Sequence, residues 1–383
     1  MKFTTSPKAG KHHAWALIIT ATLIILLADG FAMFRLPAPE LAENRVLAGR
    51  PSMPVNAGEW QSLGGRADAF VTDNFPPRAH LIAYLNYFRY LLGYSGSPKV
   101  VVGNQGWMFY NDGTDMSKTA GMMRLSQPAI DEWLIGFHQR SKFVESKGGR
   151  FYMLLAPMKE DIFPEFRPDW MPRQRVATEF DDFVSGARKA GIDRLVDPRP
   201  ELLEAKSRQQ IWHKYDTHWT GLGAYIGYRA LMTRMAIDMP EMQPLPLESF
   251  RASTLVPWQQ PRDLSLMLGI GGFLQHGGVS FQEFPVHDPA KTIFLSERKD
   301  WTAPQILLTG AAGGKTLLWI RDSFGSEMLP MLKPHFSKII MVHLQDGFFR
   351  QELVEKYHPE VVLLEVIEGG ARHTMARLPD VPL

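Results

Sequence analysis

Four strand-length apolar runs, separated by stretches of helical periodicity, constrain the fold of this chain more than any other feature. They are Phe151-Tyr-Met-Leu-Leu-Ala156, Lys315-Thr-Leu-Leu-Trp-Ile320, Lys338-Ile-Ile-Met-Val-His343 and Val361-Val-Leu-Leu-Glu365. A strand with one solvated face alternates apolar and polar residues, whereas a near-continuous apolar run is covered on both faces. Between the runs lie expected helices at Gln127 to Ser146, Arg173 to Lys189, Pro200 to Arg208 and Gly221 to Ile237, with a short strand at Arg194 to Asp197. In the last helix Ala224, Tyr228, Leu231 and Met235 share one face. This pattern predicts an α/β fold, a mostly parallel sheet flanked by helices.

The rest of the chain is organised around that pattern. Residues 35 to 65 read as an extended lead-in. Phe70, Phe75, Leu81, Leu85, Phe88 and Leu92 fit helices broken by Pro76-Pro77. Lys99 to Gly103 and Gly106 to Tyr110 are short strand candidates joined by a turn. A glycine- and proline-rich excursion from about Pro240 to Gly314 reads as a large insertion. Across 383 residues, 45% hydrophobic and 21% charged content suits a substantial core, and a net charge of +2 argues against a nucleic-acid surface. The absence of cysteine excludes disulfides, thiolate catalysis and cysteine-ligated zinc.

Lys2, Lys8 and Lys11 precede an apolar run from Ala14 to Ala28 that ends at Asp29. A basic flank followed by an apolar segment is the pattern of export. Residues 1–35 are therefore expected to be a signal peptide or signal anchor, and residues 36–383 the exported domain. Fifteen helical residues span about 22 Å against a hydrocarbon core of roughly 30 Å. A full span needs the extension through Phe34, while Gly30-Phe31-Ala32 offers a small-residue cleavage site.

Two segments carry reactive chemistry. Asp216-Thr217-His218-Trp219 places a carboxylate and an imidazole two positions apart, on one side of an extended stretch. Arg321-Asp322-Ser323-Phe324 places a serine after an expected strand and before a glycine-containing helix start, where backbone N–H groups gather. Together they supply a nucleophile, a base, an orienting acid and part of an oxyanion site. Each residue alone also fits a plainer role: Ser323 a helix cap, His218 a core histidine beside Trp219, Asp216 a turn residue. His213, Asp216 and His218 also form a possible metal set, although their spacing matches no standard zinc motif. Thr309-Gly-Ala-Ala-Gly-Gly-Lys315-Thr316 lacks the first glycine of a phosphate loop and is expected to be a hairpin turn.

With these residues in view, the chain resembles the AlgJ/AlgX-like (DHHW) group of SGNH-hydrolase-type polysaccharide O-acetyltransferases. The resemblance runs through Glu43-Asn-Arg45, Asp73-Asn-Phe-Pro-Pro-Arg78, Gly103-Asn-Gln-Gly-Trp-Met-Phe-Tyr110 and Pro157-Met-Lys-Glu160. It continues through Asp216-Thr-His-Trp219, Asp263-Leu264 with Met267-Leu268, and Arg321-Asp-Ser-Phe324. It implies an SGNH-hydrolase-like fold with a large insertion between the Asp-x-His segment and the nucleophile. It also implies Ser323 as nucleophile, His218 as general base and Asp216 as the residue orienting it, with no cofactor and no metal. Thr220 stands where many relatives have Asn. The chain ends about 60 residues after Ser323, which fits the single-domain AlgJ-like form. A polysaccharide acceptor, a membrane-bound O-acyltransferase partner and a periplasmic place beside the inner membrane follow from the same resemblance. A carbohydrate acetylesterase and a non-catalytic polysaccharide-binding export component remain open alternatives.

Overall fold

The computed structural model describes residues 7–34, 39–41, 46–252, 262–283 and 291–375. The Glu43-Asn-Arg45 segment lies outside the described residues. The chain divides into two compact units, one of residues 1–97 with 265–274, the other of residues 98–264 with 275–383.

In the first unit, α1 (Pro7–Phe34) is followed by α2 (Ala57–Asn74) and α3 (Arg78–Leu91). Asn56 caps α2 by accepting the Glu59 N–H at 2.9 Å. The break at Pro76-Pro77 falls where the sequence predicts it, because a proline ring obstructs the preceding turn. Asn86 on α3 donates to the Leu268 carbonyl at 2.9 Å, and the Tyr87 ring stacks on Phe273 at 4.8 Å. These contacts hold the 265–274 segment against α3. Among the described residues no helix is long and apolar enough to cross a membrane. The spanning anchor expected within residues 1–35 is thus unsupported: the uninterrupted apolar run stops at Ala28, about a turn and a half short of the bilayer thickness.

The second unit is built on a seven-stranded sheet. Its strands in chain order are β1 (Arg150–Ala156), β2 (Leu195–Val196), β3 (Lys291–Phe294), β4 (Gln305–Leu308), β5 (Thr316–Arg321), β6 (Lys338–His343) and β7 (Val361–Ile367). In space they lie in the order β2-β1-β7-β5-β6-β4-β3. The first five in that order pair parallel, and β4 and β3 are added antiparallel. The mostly parallel sheet is as expected. The excursion from Pro240 to Gly314 is not wholly an insertion, because its last part supplies both antiparallel strands. The Thr309–Lys315 turn is not a hairpin, since β6 lies between β4 and β5. Gly310 and Gly314 provide its positive φ angles, 78° and 67°.

The sheet is flanked by α4 (Gln127–Ser146), α5 (Glu179–Lys189), α6 (Arg199–Ala205) and α7 (Gly221–Asp238). Alternation along the buried strands sorts the core into two layers. Tyr152, Leu154, Leu317, Trp319, Ile339, Met341 and Leu363 meet one side, packed with Ala224, Tyr228, Leu231 and Met235 of α7. Phe151, Met153, Leu318, Ile320, Ile340, Val362 and Leu364 meet the other, with Trp133 and Phe137 of α4 and Phe180 and Phe183 of α5. A strand buried on both faces needs apolar residues at every position, which is why the runs showed no polar alternation.

Candidate active site

The site is assembled at the carboxyl ends of the parallel strands, where the connecting turns of an α/β sheet come together. β5 ends at Arg321, and the next turn is a 3-10 helix, Ser323–Met328, rather than the start of an α-helix. Asp322 caps it: one carboxylate oxygen accepts the Phe324 N–H at 2.8 Å, and the other accepts the Ile367 N–H at the end of β7 at 2.7 Å. The turn that carries Ser323 is therefore tied to two adjacent strands. Gly325 permits the tight packing beneath it. A Cβ at that position would sit 2.5 Å from the Trp319 ring and 2.7 Å from a Glu365 carboxyl oxygen.

The second segment is a narrow turn between Ile211 and Thr220. Trp212 and Trp219 form an antiparallel bridge, the Trp212 indole N–H donates to the Thr217 carbonyl at 2.8 Å, and the Thr220 N–H donates to Ile211 at 3.0 Å. Thr220 caps α7 and donates to the Gln210 carbonyl at 2.7 Å. The two segments are joined directly. The buried Trp219 indole N–H donates to the Phe324 carbonyl at 3.0 Å, and the His218 and Phe324 rings lie 4.9 Å apart.

The structure brings together all three residues singled out by sequence. With His218 neutral, its Nδ1–H donates to Asp216 Oδ1 at 2.7 Å, and its Nε2 accepts the Ser323 hydroxyl at 2.7 Å. Asp216 Oδ1 also accepts the His218 backbone N–H at 2.9 Å, so one oxygen fixes both ring and backbone. Burial pulls the His218 pKa down, but the Asp216 hydrogen bond and the charges of Asp216, Asp263 and Asp322 outweigh it and raise it to about 8. Burial works against ionised Asp216, yet its bonds to His218 hold it well below the usual carboxylate range.

Two residues absent from the sequence-based set also belong here. Asp263 Oδ1 accepts the Thr217 N–H at 2.9 Å, and its Oδ2 lies 3.8 Å from His218 Nδ1. Burial first, and the charge of Asp216 next, push its pKa up to about 6. Lys159, just beyond β1, is 3% exposed and donates to the carbonyls of His213, Lys214 and Asp216 at 2.9, 3.2 and 2.7 Å. Its ammonium lies 5.4 Å from the Trp107 and Phe109 ring centres. Both residues stood in segments that carried the family resemblance. Nothing in their local spacing linked them to His218, which lies 45 and 59 positions away.

The metal alternative is redrawn. Among the described residues, donor atoms of Asp216, His218 and Asp263 lie within 4.8 Å of one another and could hold an ion. His213 is not part of that set; its Nδ1 pairs with the Gly277 carbonyl at 2.8 Å. Beside the Asp-x-His turn lies a cavity of about 190 Å³ lined in part by Tyr110, Asp115, Lys159, Thr217 and His373.

A family model described as the SGNH hydrolase-like domain of acetyltransferase AlgX matches residues 100–311, more than half the chain. That span contains Asp216, His218 and Asp263 and stops short of Ser323. The chain is 30% identical over 136 residues to the probable alginate O-acetylase AlgJ of Pseudomonas aeruginosa, which covers 35% of this chain and 32% of that protein. To the AlgJ of Pseudomonas syringae pv. tomato it is 25% identical over 186 residues, 48% of this chain and 44% of that one. The chain thus spans less than half the length of these curated relatives. Among solved structures, Bacillus cereus PatB1 superposes with a TM-score of 0.54 at 12% identity, over 71% of this chain and 96% of that one. A DHHW family protein from Eubacterium siraeum gives 0.50 at 14% identity, over 71% and 91%. These likenesses establish the SGNH-hydrolase-like fold. With more than half its length matching that model, the chain belongs to the AlgX family of SGNH hydrolase-like acetyltransferase domains.

Proposed function

We propose that this chain is an O-acetyltransferase that passes an acetyl group through Ser323 to hydroxyls of a bacterial exopolysaccharide. The observation that carries the reading is the 2.7 Å contact between Ser323 Oγ and His218 Nε2, with Asp216 behind the imidazole. His218 takes the hydroxyl proton as Ser323 Oγ attacks the acetyl carbonyl of the donor. The tetrahedral intermediate collapses, the bond to the donor's leaving group breaks, and His218 returns the proton to that group. A sugar hydroxyl then gives its proton to His218, attacks the acyl-serine and regenerates Ser323. Asp216 holds the tautomer and stabilises the imidazolium. The Ser323 backbone N–H, at the start of its 3-10 helix, serves as one oxyanion donor.

The polysaccharide class follows from relatives named alginate O-acetylases. A membrane-bound O-acyltransferase as the acetyl supplier follows from the resemblance of the motifs. The basic flank and the apolar run from Ala14 to Ala28 support export as the task of the first 35 residues.

The test exposes purified protein to a chromogenic acetyl ester with and without an oligosaccharide acceptor, and analyses the Ser323 peptide by mass spectrometry. An acetyl adduct on that peptide and acetylated sugar are expected. Ser323→Ala should cost roughly four to six orders of magnitude in rate. Near-normal transfer by Ser323→Ala overturns the nucleophile, and acetate release indifferent to sugar makes the protein an esterase. Loss of activity on chelation would instead support an ion held by Asp216, His218 and Asp263, the set that favours a metal-dependent reading.

A further inference from the structure

We propose that α3 is an amphipathic surface helix that lies in the interface of a bilayer bearing anionic headgroups. Its outward face carries Leu81, Tyr84, Leu85 and Phe88, and continues through Leu91 and Leu92, all between 49% and 61% exposed. At 100° per residue these six fall within an arc of about 120°, the width of an apolar stripe that normally faces a core. The opposite side of the helix already has its partner, since Ala83 and Asn86 are buried and Asn86 bonds to Leu268. The helix is therefore buried on one side and apolar on the other, and only the buried side is used inside its own unit.

Charge selects the occupant. Arg78 and Arg89 project within about 40° of the stripe's edge, and Arg89 is exposed. No Asp or Glu occurs between Asp73 and Asp112, so nothing repels an anionic surface along this stretch. Tyrosine in the stripe and Tyr94 just past the helix, 67% exposed, have the amphipathic rings that settle at headgroup level. An apolar face with aromatic and basic margins is the pattern of a helix lying in a membrane surface. A second observation points the same way: α1 of the same unit exposes Trp15, Leu17, Ile18, Ile19 and the run Leu23 to Leu27. Such a helix in the interface plane needs no spanning length.

The chain has no cysteine, so single labels are clean. Leu85→Cys and Phe88→Cys, each carrying an environment-sensitive fluorophore in the full chain, are mixed with vesicles of phosphatidylglycerol and phosphatidylethanolamine. Lys142→Cys on α4 is the control. Blue-shifted emission and quenching by lipid-borne quencher, at least twofold above control at both positions, are expected. Arg89→Gln, or replacing phosphatidylglycerol with phosphatidylcholine, should diminish the quenching at position 85. Water-like emission at 85 and 88 on vesicle-bound protein overturns the proposal. So does shielding without vesicles: concentration-dependent shielding would mean a second copy covers the face, and concentration-independent shielding would mean the chain covers it itself.

Discussion

At the residue scale, His218 is surrounded by two carboxylates rather than one. In the proposed mechanism His218 must be neutral to accept a proton, so with its pKa near 8 the rate should rise with pH through that value and level off above it. Asp263→Asn removes one of the charges that raise the pKa while keeping an oxygen to accept the Thr217 N–H. The ascending, acid-side limb of kcat/KM should then move to lower pH by about half a unit or more, and an unmoved limb would rule out an electrostatic role for Asp263. Lys159 acts one step further back. Its three donors close the loop that ends in Asp216, so Lys159→Met leaves three carbonyls without their partner. We expect kcat to fall by about 10- to 100-fold with KM little changed, with partial recovery in Lys159→Arg. A KM effect alone would make Lys159 a substrate contact instead.

At the scale of elements, the strands were legible because burial on both faces writes itself into composition. The turn at Pro76-Pro77 and the helices Gln127–Ser146 and Gly221–Asp238 were legible for equally local reasons, ring sterics and periodicity. The helix read from Arg173 begins at Glu179, where Thr178 and Asp181 form a capping box. The antiparallel strands β3 and β4 were missed because each is only four residues long, within a glycine- and proline-rich stretch, too short to show a period. The turn after β5 is where an element's geometry controls chemistry. Gly325→Ala would press a methyl group against Trp319 and Glu365 and displace Ser323. A stability loss of about 1–3 kcal/mol in denaturant titrations is expected, together with a fall in kcat larger than that loss explains. Unchanged kinetics would show that the 3-10 turn can relax away from Ser323.

At the scale of the whole molecule, the sheet buries acids along with its apolar core. Glu160 and Glu368 are fully enclosed, and burial is the first cause raising each to about 8; His218 reaches the same value through its carboxylates. Between about pH 6.5 and 8 the native chain holds these protons and the unfolded chain does not. Stability must then fall as pH rises, by up to about 1.4 kcal/mol per pH unit for each such group. His213 and His335, held near 4 by burial, are neutral in the native chain but half-protonated at pH 6.5 in the unfolded one, so they oppose the trend at the low end of the window, as Lys159, lowered to about 8 by burial, does at its top; the two acids and His218 outweigh them. A Tm that stays flat or rises from pH 6.5 to 8 would contradict the burial of these acids.

The sequence by itself determined the α/β class and the covered parallel strands, and it singled out Asp216, His218 and Ser323, because periodicity and short spacings are local properties of a chain. Only the tertiary structure decided that Ser323 and His218 meet at 2.7 Å across 105 positions. It alone made Asp263 rather than His213 the neighbour of His218, and gave Lys159 three carbonyls to hold. Those facts depend on which strands lie side by side. Strand order is a consequence of the chain packing as a whole, and no segment encodes it alone.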